Sequence, residues 1–287
     1  MDNEYIDLLN RIRSKYNRMS KGQKRISDFI LNNYNKVAFM TASNLGEIVG
    51  VSESTVVRYA NALGYDGYPK LQKALQESIK TKLTTLQRFE FSEGYSDREK
   101  LIRKVMNNDI ENIRKTIDDI DFKKFDSAVD MIKSSKKIYI IGLRSSKVLA
   151  EYLAYYLNFI KEDVHIIPSG ANDIYDQLIN IKEDDTVIVF SFPRYSKRTL
   201  SLIEYVSGYC KNTIAITDSE TAPIVPMVAL SLTAKYSMTT FIDSMVAPMS
   251  LINSLIISLS VSEKSKLKEN FDKLEGIWNT YNIYQIK

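Results

Sequence analysis

Apolar positions over the first eighty residues recur at helical spacing. Ile6, Leu8, Leu9, Ile12 and Tyr16 line one side of residues 5–16, with arginines and a lysine opposite. Ser20-Lys-Gly-Gln23 has the spacing of a capping box and precedes a second stripe of Ile26, Phe29, Ile30 and Leu31. Residues 42–61 predict two short helices meeting at a tight turn, with Leu45, Val49, Val51, Val56 and Tyr59 facing inward. Gly46 is small where the two helices must cross, Gly50 can supply the positive φ of the turn, and Ser52 can cap the second helix. Turn residues crowd Gly64–Pro69, and residues 71–83 return to helical periodicity. Residues 81–96 lose the stripe and are expected to be a linker, after which Ser96-Asp-Arg-Glu99 predicts a capping box and a helix to about Ile117.

Beyond Lys136 the period changes. Residues 137–142 form a short apolar run followed at once by a helical pattern over 145–159. Further runs at Val164–Ile167, Thr186–Phe190 and Thr213–Thr217 alternate with helical stretches. That alternation predicts a parallel sheet of about five strands, covered by helices on both faces. The expected architecture is an all-α head followed by an α/β domain. Residues 239–262 carry Asp243 as their only charge, but serines at 250, 254 and 258, Asn253 and Pro248 interrupt the apolar surface. They predict a core or subunit-interface helix rather than a membrane span.

Composition narrows the setting. The chain has 287 residues, 44% hydrophobic and 26% charged, which excludes a disordered or collagen-like polymer and is long enough for two domains. A single cysteine, Cys210, allows no intramolecular disulfide and no cysteine-built metal site, and the acidic first residues do not resemble a signal peptide. A cytoplasmic location is expected, with no metal and no cofactor. The net charge of +4 is unevenly distributed: residues 1–88 hold 14 Lys+Arg against 8 Asp+Glu, and residues 89–287 hold 25 against 27. A basic head on a near-neutral body is the electrostatic footprint expected of a nucleic-acid binder.

The helix pair at 42–61 gives that charge a geometry. It is a helix-turn-helix whose second helix would present Ser52, Glu53, Ser54, Thr55, Val57, Arg58 and Asn61 to a major groove of double-stranded DNA. Arg58, one turn in, can reach a guanine edge or a phosphate.

In a parallel sheet, ligands bind beyond the carboxyl ends of the strands. Two turns there are rich in hydroxyls and cations: Gly142-Leu-Arg-Ser-Ser146, and Ser191 through Thr199, which includes Arg194 and Ser196. Each turn alone is compatible with plain helix capping. Together they predict a shared anion pocket built from Gly142, Arg144, Ser145, Ser146, Ser191, Arg194, Ser196 and Thr199. His165 is the only histidine, in or beside a strand, and no triad, carboxylate pair or metal cluster stands in these turns, so no catalytic residue is assigned.

Residues 42–63 with the following Gly-Tyr-Asp-Gly-Tyr, then Ile138–Ser146, Ser191–Ser196 and Ile214–Asp218, resemble the RpiR-type bacterial transcriptional regulators. These join an N-terminal helix-turn-helix domain to a C-terminal sugar isomerase (SIS) domain. The resemblance implies a helix-turn-helix domain over 1–80, a linker over 81–96, and a SIS domain with its preceding helices over 97–287. It further implies a cytoplasmic, non-enzymatic regulator of sugar or amino-sugar metabolism, a homodimer or tetramer, whose operator binding answers to a phosphorylated sugar. Arg144 stands where the family's first turn has a second glycine, and Pro193 and Arg194 replace the second serine and glycine of the family's Ser-x-Ser-Gly-x-Thr turn. The arginines are open to phosphate contacts, to ion pairs across a subunit interface, or, for Arg194, to filling the space a ligand would use. A sugar-phosphate isomerase with an accessory helical domain, and a SIS domain that only dimerises the heads, are the competing expectations.

Overall fold

The computed structural model describes residues 11–79, 97–167, 174–237 and 242–284, together with Leu8 and Arg88. The predicted linker, apart from Arg88, lies outside the described residues, as do Ser96 and most of the first helical stripe. The chain divides into two compact units, Met1–Gly94 and Tyr95–Lys287.

In the first unit, residues 11–16 are helical and are followed by α1 (Lys21–Val37), α2 (Ala42–Val49), α3 (Glu53–Ala62) and α4 (Tyr68–Ile79). Ser20 closes the capping box: its hydroxyl accepts from the Gln23 amide, and its own amide donates back to Gln23 Oε1 at 2.9 Å. Leu8, Ile12, Ile26, Ile30, Leu45, Val56, Tyr59 and Leu71 belong to the buried core of this unit, while Tyr16, Phe29 and Leu31 of the predicted stripes are half-buried and Ile6 and Leu9 lie outside the described residues. Val49 and Val51 are only half-buried, because they flank the turn rather than sit beneath it. Tyr59 carries a hydroxyl into that core, where it shares a 2.9 Å hydrogen bond with Ser27.

The second unit opens with α5 (Arg98–Asp119) and α6 (Phe122–Ser134). The cap of α5 is Asp97, one residue beyond the predicted Ser96; its carboxylate accepts from the amides of Glu99 and Lys100 at 3.0 and 3.2 Å. Five strands follow: β1 (Ile138–Gly142), β2 (Val164–Ile167), β3 (Thr186–Phe190), β4 (Asn212–Thr217) and β5 (Leu230–Thr233). All pair in parallel in the order β2-β1-β3-β4-β5. One face packs against α6, α7 (Lys147–Ile160) and α9 (Val246–Ser262), through Ile138, Ile140, Ile188, Phe190, Ile214 and Ile216. The other, carrying Tyr139, Ile141, Val187, Val189 and Ala215, packs against α8 (Lys197–Ser207) and residues 174–181 and 222–228. β1, β3 and β4 are therefore buried on both faces, which is why β1 and the middles of β3 and β4 read as apolar runs. β2 is an edge strand with His165 and Ile166 exposed; the His165 ring bonds Asp163 and stacks on Tyr139, a structural role.

Helix α10 (Lys264–Thr280) follows β5 and α9. The low-charge segment supplies α9, whose Ala247, Pro248, Leu251, Ile252, Leu255 and Leu259 are buried. Among the described residues no single helix is long and apolar enough to cross a membrane.

Candidate functional site

The helix-turn-helix is set by two close constraints. A Cβ at Gly46 would lie 2.8 Å from the Val51 carbonyl oxygen, so only glycine lets α2 and the turn approach this closely. Gly50 has φ +68° and terminates α2 in the left-handed conformation. The Val51 amide then returns to the Gly46 carbonyl at 2.8 Å, and the Ser52 hydroxyl accepts from the Thr55 amide to start α3.

Of the residues predicted to face DNA, Glu53, Ser54, Arg58 and Asn61 are exposed, and Thr55 and Val57 are half-buried. Ser52 is exposed, but its hydroxyl also shares hydrogen bonds with Ser54 and Thr55. Asn61 has a structural task as well, since its Oδ1 accepts from the Gly67 amide at 2.9 Å and fixes the turn into α4. Beside the turn lies a groove of about 380 Å³, lined by Ser20, Gln23, Arg25, Ser52, Thr55 and Arg58 among others. Arg25 belongs to α1 and was not singled out by the sequence, because a lysine- and arginine-rich helix gives no sign of which cation turns toward the neighbouring helix. Here the signal is spatial: a Cβ at Gly50 would be 3.3 Å from an Arg25 guanidinium nitrogen.

In the second unit, β2 and β3 lie on opposite sides of β1, so the strand order reverses between β1 and β3. That reversal is where a crevice opens in a parallel sheet. Gly142 and Phe190, the last residues of β1 and β3, are register partners, so the two hydroxyl-rich turns leave neighbouring strand ends.

The first turn is not the smooth helix start predicted over 145–159. Arg144–Ser146 form a single 3-10 turn and α7 begins at Lys147. Neither Ser145 nor Ser146 caps a helix with its side chain; Ser145 is exposed and Ser146 is buried. A Cβ on Gly142 would come within 2.5 Å of the Ser146 carbonyl and 2.7 Å of Ala150 Cβ. The close approach that demands glycine is thus made by the protein's own helix.

In the second turn, the Ser191 amide donates to the Ile216 carbonyl and its carbonyl accepts from Thr217 Oγ1 at 2.6 Å. Its hydroxyl is buried and has no hydrogen-bond partner among the described residues. Ser196 caps α8, accepting from the Thr199 amide at 3.4 Å, and Thr199 is buried. Arg144 and Arg194 are exposed, and both take positive φ, +55° and +68°. The turns keep a glycine-like backbone although arginine occupies them.

Two residues absent from the predicted site sit at the same end of the sheet. Asp218, just past β4, is buried; its Oδ1 accepts from the Tyr195 hydroxyl at 2.8 Å, while Oδ2 has no partner among the described residues. Burial raises its pKa above the ordinary aspartate range, opposed by the hydrogen bonds from Tyr195 and Thr217. The Ile214–Asp218 run marks the end of a strand, but nothing in its residue types says which hydroxyl will reach the carboxylate. No group of three or more His, Cys, Asp or Glu among the described residues is arranged to hold a metal ion.

Residues 6–82 match the helix-turn-helix domain of the rpiR family, and residues 131–258 match the SIS domain. An uncharacterized HTH-type transcriptional regulator of Haemophilus influenzae is 27% identical over 76% of this chain and 76% of its own length. The HTH-type transcriptional regulator HexR of Pseudomonas aeruginosa is 25% identical over 69% of this chain and 67% of its own. Among solved structures, the sugar isomerase domain of an RpiR transcription factor from Sphaerobacter thermophilus superposes with a TM-score of 0.57 at 23% identity, covering 60% of this chain and 96% of that one. The Vibrio vulnificus NanR protein complexed with ManNAc-6P superposes with a TM-score of 0.55 at 21% identity, covering 96% and 98%.

Proposed function

The chain belongs to the rpiR family of helix-turn-helix regulators with a SIS domain, and from this premise we propose that it is a DNA-binding transcriptional regulator whose operator affinity is set by a phosphorylated sugar or amino sugar. The observation that carries the effector half is Ser191: a buried hydroxyl without a partner among the described residues, in a turn at the strand-order reversal of the sheet. A buried polar group left unsatisfied costs about 1–3 kcal/mol, and a bound oxyanion removes that cost. We assign Ser145, Ser146 and Ser191 as hydroxyl donors to the phosphate, Ser196 and Thr199 as further oxygen contacts, Arg144 and Arg194 as charge-assisted contacts, and Gly142 as the residue that seats the first turn.

The head, residues 1–80, carries the DNA affinity. Glu53, Ser54, Thr55, Arg58 and Asn61 face the major groove, Ser52 at the helix start meets the backbone, and Arg25 adds a phosphate contact from α1. The ligand acts by binding one arrangement of the dimer more tightly than the other. The chain acts as a homo-oligomer in the cytoplasm; Ile257 and Val261 of α9, 61% and 72% exposed, are apolar surface for subunit contact. The regulator reading is preferred to an isomerase because the relatives matched over about 70% or more of this chain are named as regulators.

A thermal-shift panel of phosphorylated sugars and amino sugars on the full chain, run beside anisotropy on a fragment of its own promoter, tests both halves. A ligand at a hundred times its Kd adds about 2.7 kcal/mol of stability, and the same ligand should change DNA affinity. No shift from any phosphosugar removes the effector claim; salt-independent or absent DNA binding removes the other.

A further inference from the structure

Helix α5 buries one side and leaves another open. Asn112 and Thr116 are buried against the body: Asn112 Nδ2 donates to Ser237 Oγ at 2.6 Å, and the Lys235 amide donates to Thr116 Oγ1 at 2.9 Å. About a third of a turn around the helix, Ile102, Met106, Ile110 and Ile117 are 56, 62, 46 and 62% exposed, with Ile113 half-buried among them. At roughly 100° per residue these five side chains fall within an arc of about 80° and run about 22 Å along the axis. A continuous apolar row of that length is a contact surface.

The spacing of the row identifies its occupant. Ile102 and Ile117 lie eight residues before and seven after Ile110, and Met106 and Ile113 lie four before and three after. The row is therefore nearly symmetric about its own centre. A second α5 laid antiparallel brings Ile102 opposite Ile117, Met106 opposite Ile113, and Ile110 opposite itself, which is the self-complementary contact of a two-fold axis. Charge selects the same direction. Residues 98–108 hold four cations against Glu99, a balance of +3, and residues 109–119 hold Arg114 and Lys115 against Asp109, Glu111, Asp118 and Asp119, a balance of −2. Antiparallel pairing sets the basic half of one helix over the acidic half of the other, whereas parallel pairing sets like on like.

We propose that α5 is a dimerisation helix that pairs antiparallel with α5 of a second copy of this chain, with the two-fold axis at Ile110. This rests on the homo-oligomer reading above and adds a second contact surface to that of α9.

The test uses the full chain, in which Cys210 is buried and stays in place. Under mild oxidation Ile110→Cys should form an inter-chain disulfide, Ile102→Cys alone should not, and Ile102→Cys with Ile117→Cys in one chain should. In sedimentation, Met106→Glu with Ile110→Glu should halve the assembly or better, with an unchanged circular dichroism spectrum. Cross-linking of Ile102→Cys as efficient as that of Ile110→Cys would mean parallel or random contact and would overturn the proposal. An assembly unaltered by the two glutamates would also overturn it, while leaving oligomerisation through α9 intact. A monomeric wild type overturns both. If the glutamate variant fails to fold, the pattern of the three cysteine variants decides alone.

Discussion

Arg144 and Arg194 share a backbone conformation that arginine seldom adopts: φ is +55° in one and +68° in the other, each in the first turn beyond a central strand. Those strands end on the register pair Gly142 and Phe190, so the two unusual turns leave adjacent points of the sheet. A left-handed non-glycine residue costs about 1–2 kcal/mol. Retention of that conformation at two neighbouring turns means the path of the chain out of the sheet is fixed more strongly than residue preference, and the arginine side chains are what differs from a glycine turn.

Arg194 separates backbone from side chain in one experiment. Arg194→Gly should raise stability by about 1 kcal/mol, the relieved strain exceeding the extra chain entropy of glycine. Arg194→Ala keeps the strain and should not gain. Both should lose the thermal shift with phosphosugar if the guanidinium is a phosphate contact, a loss of about 1.5–3 kcal/mol in binding. A glycine variant that keeps the full shift would make the arginine a filler of the turn.

The legible parts of this protein were those fixed by short-range demands. Gly46 and Gly50 announce the helix-turn-helix because a close crossing and a left-handed turn exclude most other residues. β1, β3 and β4 announce themselves because burial on both faces fills their middles with apolar residues, the buried Thr186, Thr213 and Thr217 standing near their ends. Strand β5, Leu230–Thr233, gave no such signal: it is short, alternates apolar and polar residues, and is a strand only because β4 pairs with it. The positive φ of Arg144 and Arg194 was hidden for the opposite reason, since residue type argues against it. Asp218 was hidden because its environment is made by Tyr195, 23 residues away.

The head offers a pair of substitutions that part folding from recognition. Gly46→Ala puts a Cβ 2.8 Å from a backbone oxygen, a neighbour that cannot rotate away, and should cost about 1–3 kcal/mol of stability, with DNA binding falling as the head unfolds. Arg58 is exposed, its guanidinium donating to Thr55 Oγ1 at 3.4 Å, so Arg58→Ala should leave the melting curve in place. Its expected loss is about 1–3 kcal/mol of affinity for the operator if it meets a base edge. Melting by circular dichroism and anisotropy on the same preparations read the two effects.

Asp218 gives a pH signature. Burial raises its folded-state pKa above the unfolded value, so in the window between the two the native chain holds more protons than the unfolded one. Stability from this group is therefore greatest below the unfolded aspartate pKa and declines as pH rises through the folded value. Asp218→Asn cannot ionise, and the gap in Tm between variant and wild type should shift in the variant's favour as pH is raised from 4 to 7. A gap independent of pH would place the titration elsewhere.

Ser191 and Ser196 stand five residues apart in one turn and should respond in opposite ways to the same change. The Ser196 hydroxyl accepts the Thr199 amide at the start of α8, so Ser196→Ala removes a cap and should cost about 1 kcal/mol. The Ser191 hydroxyl is buried without a partner among the described residues, so Ser191→Ala removes a group that already bears its desolvation cost. Stability without ligand should be unchanged or higher. In the presence of phosphosugar the order reverses, because the Ser191 variant loses a buried donor aimed at the anion, while the Ser196 variant keeps the Ser191 contact and should still shift. A fold that holds a polar group at a local disadvantage and recovers it on binding has this signature, unlike one that uses the group for packing. If Ser191→Ala destabilises the ligand-free chain as much as Ser196→Ala does, the hydroxyl is structural, and the phosphate contact must be sought among Ser145, Ser146 and the two arginines.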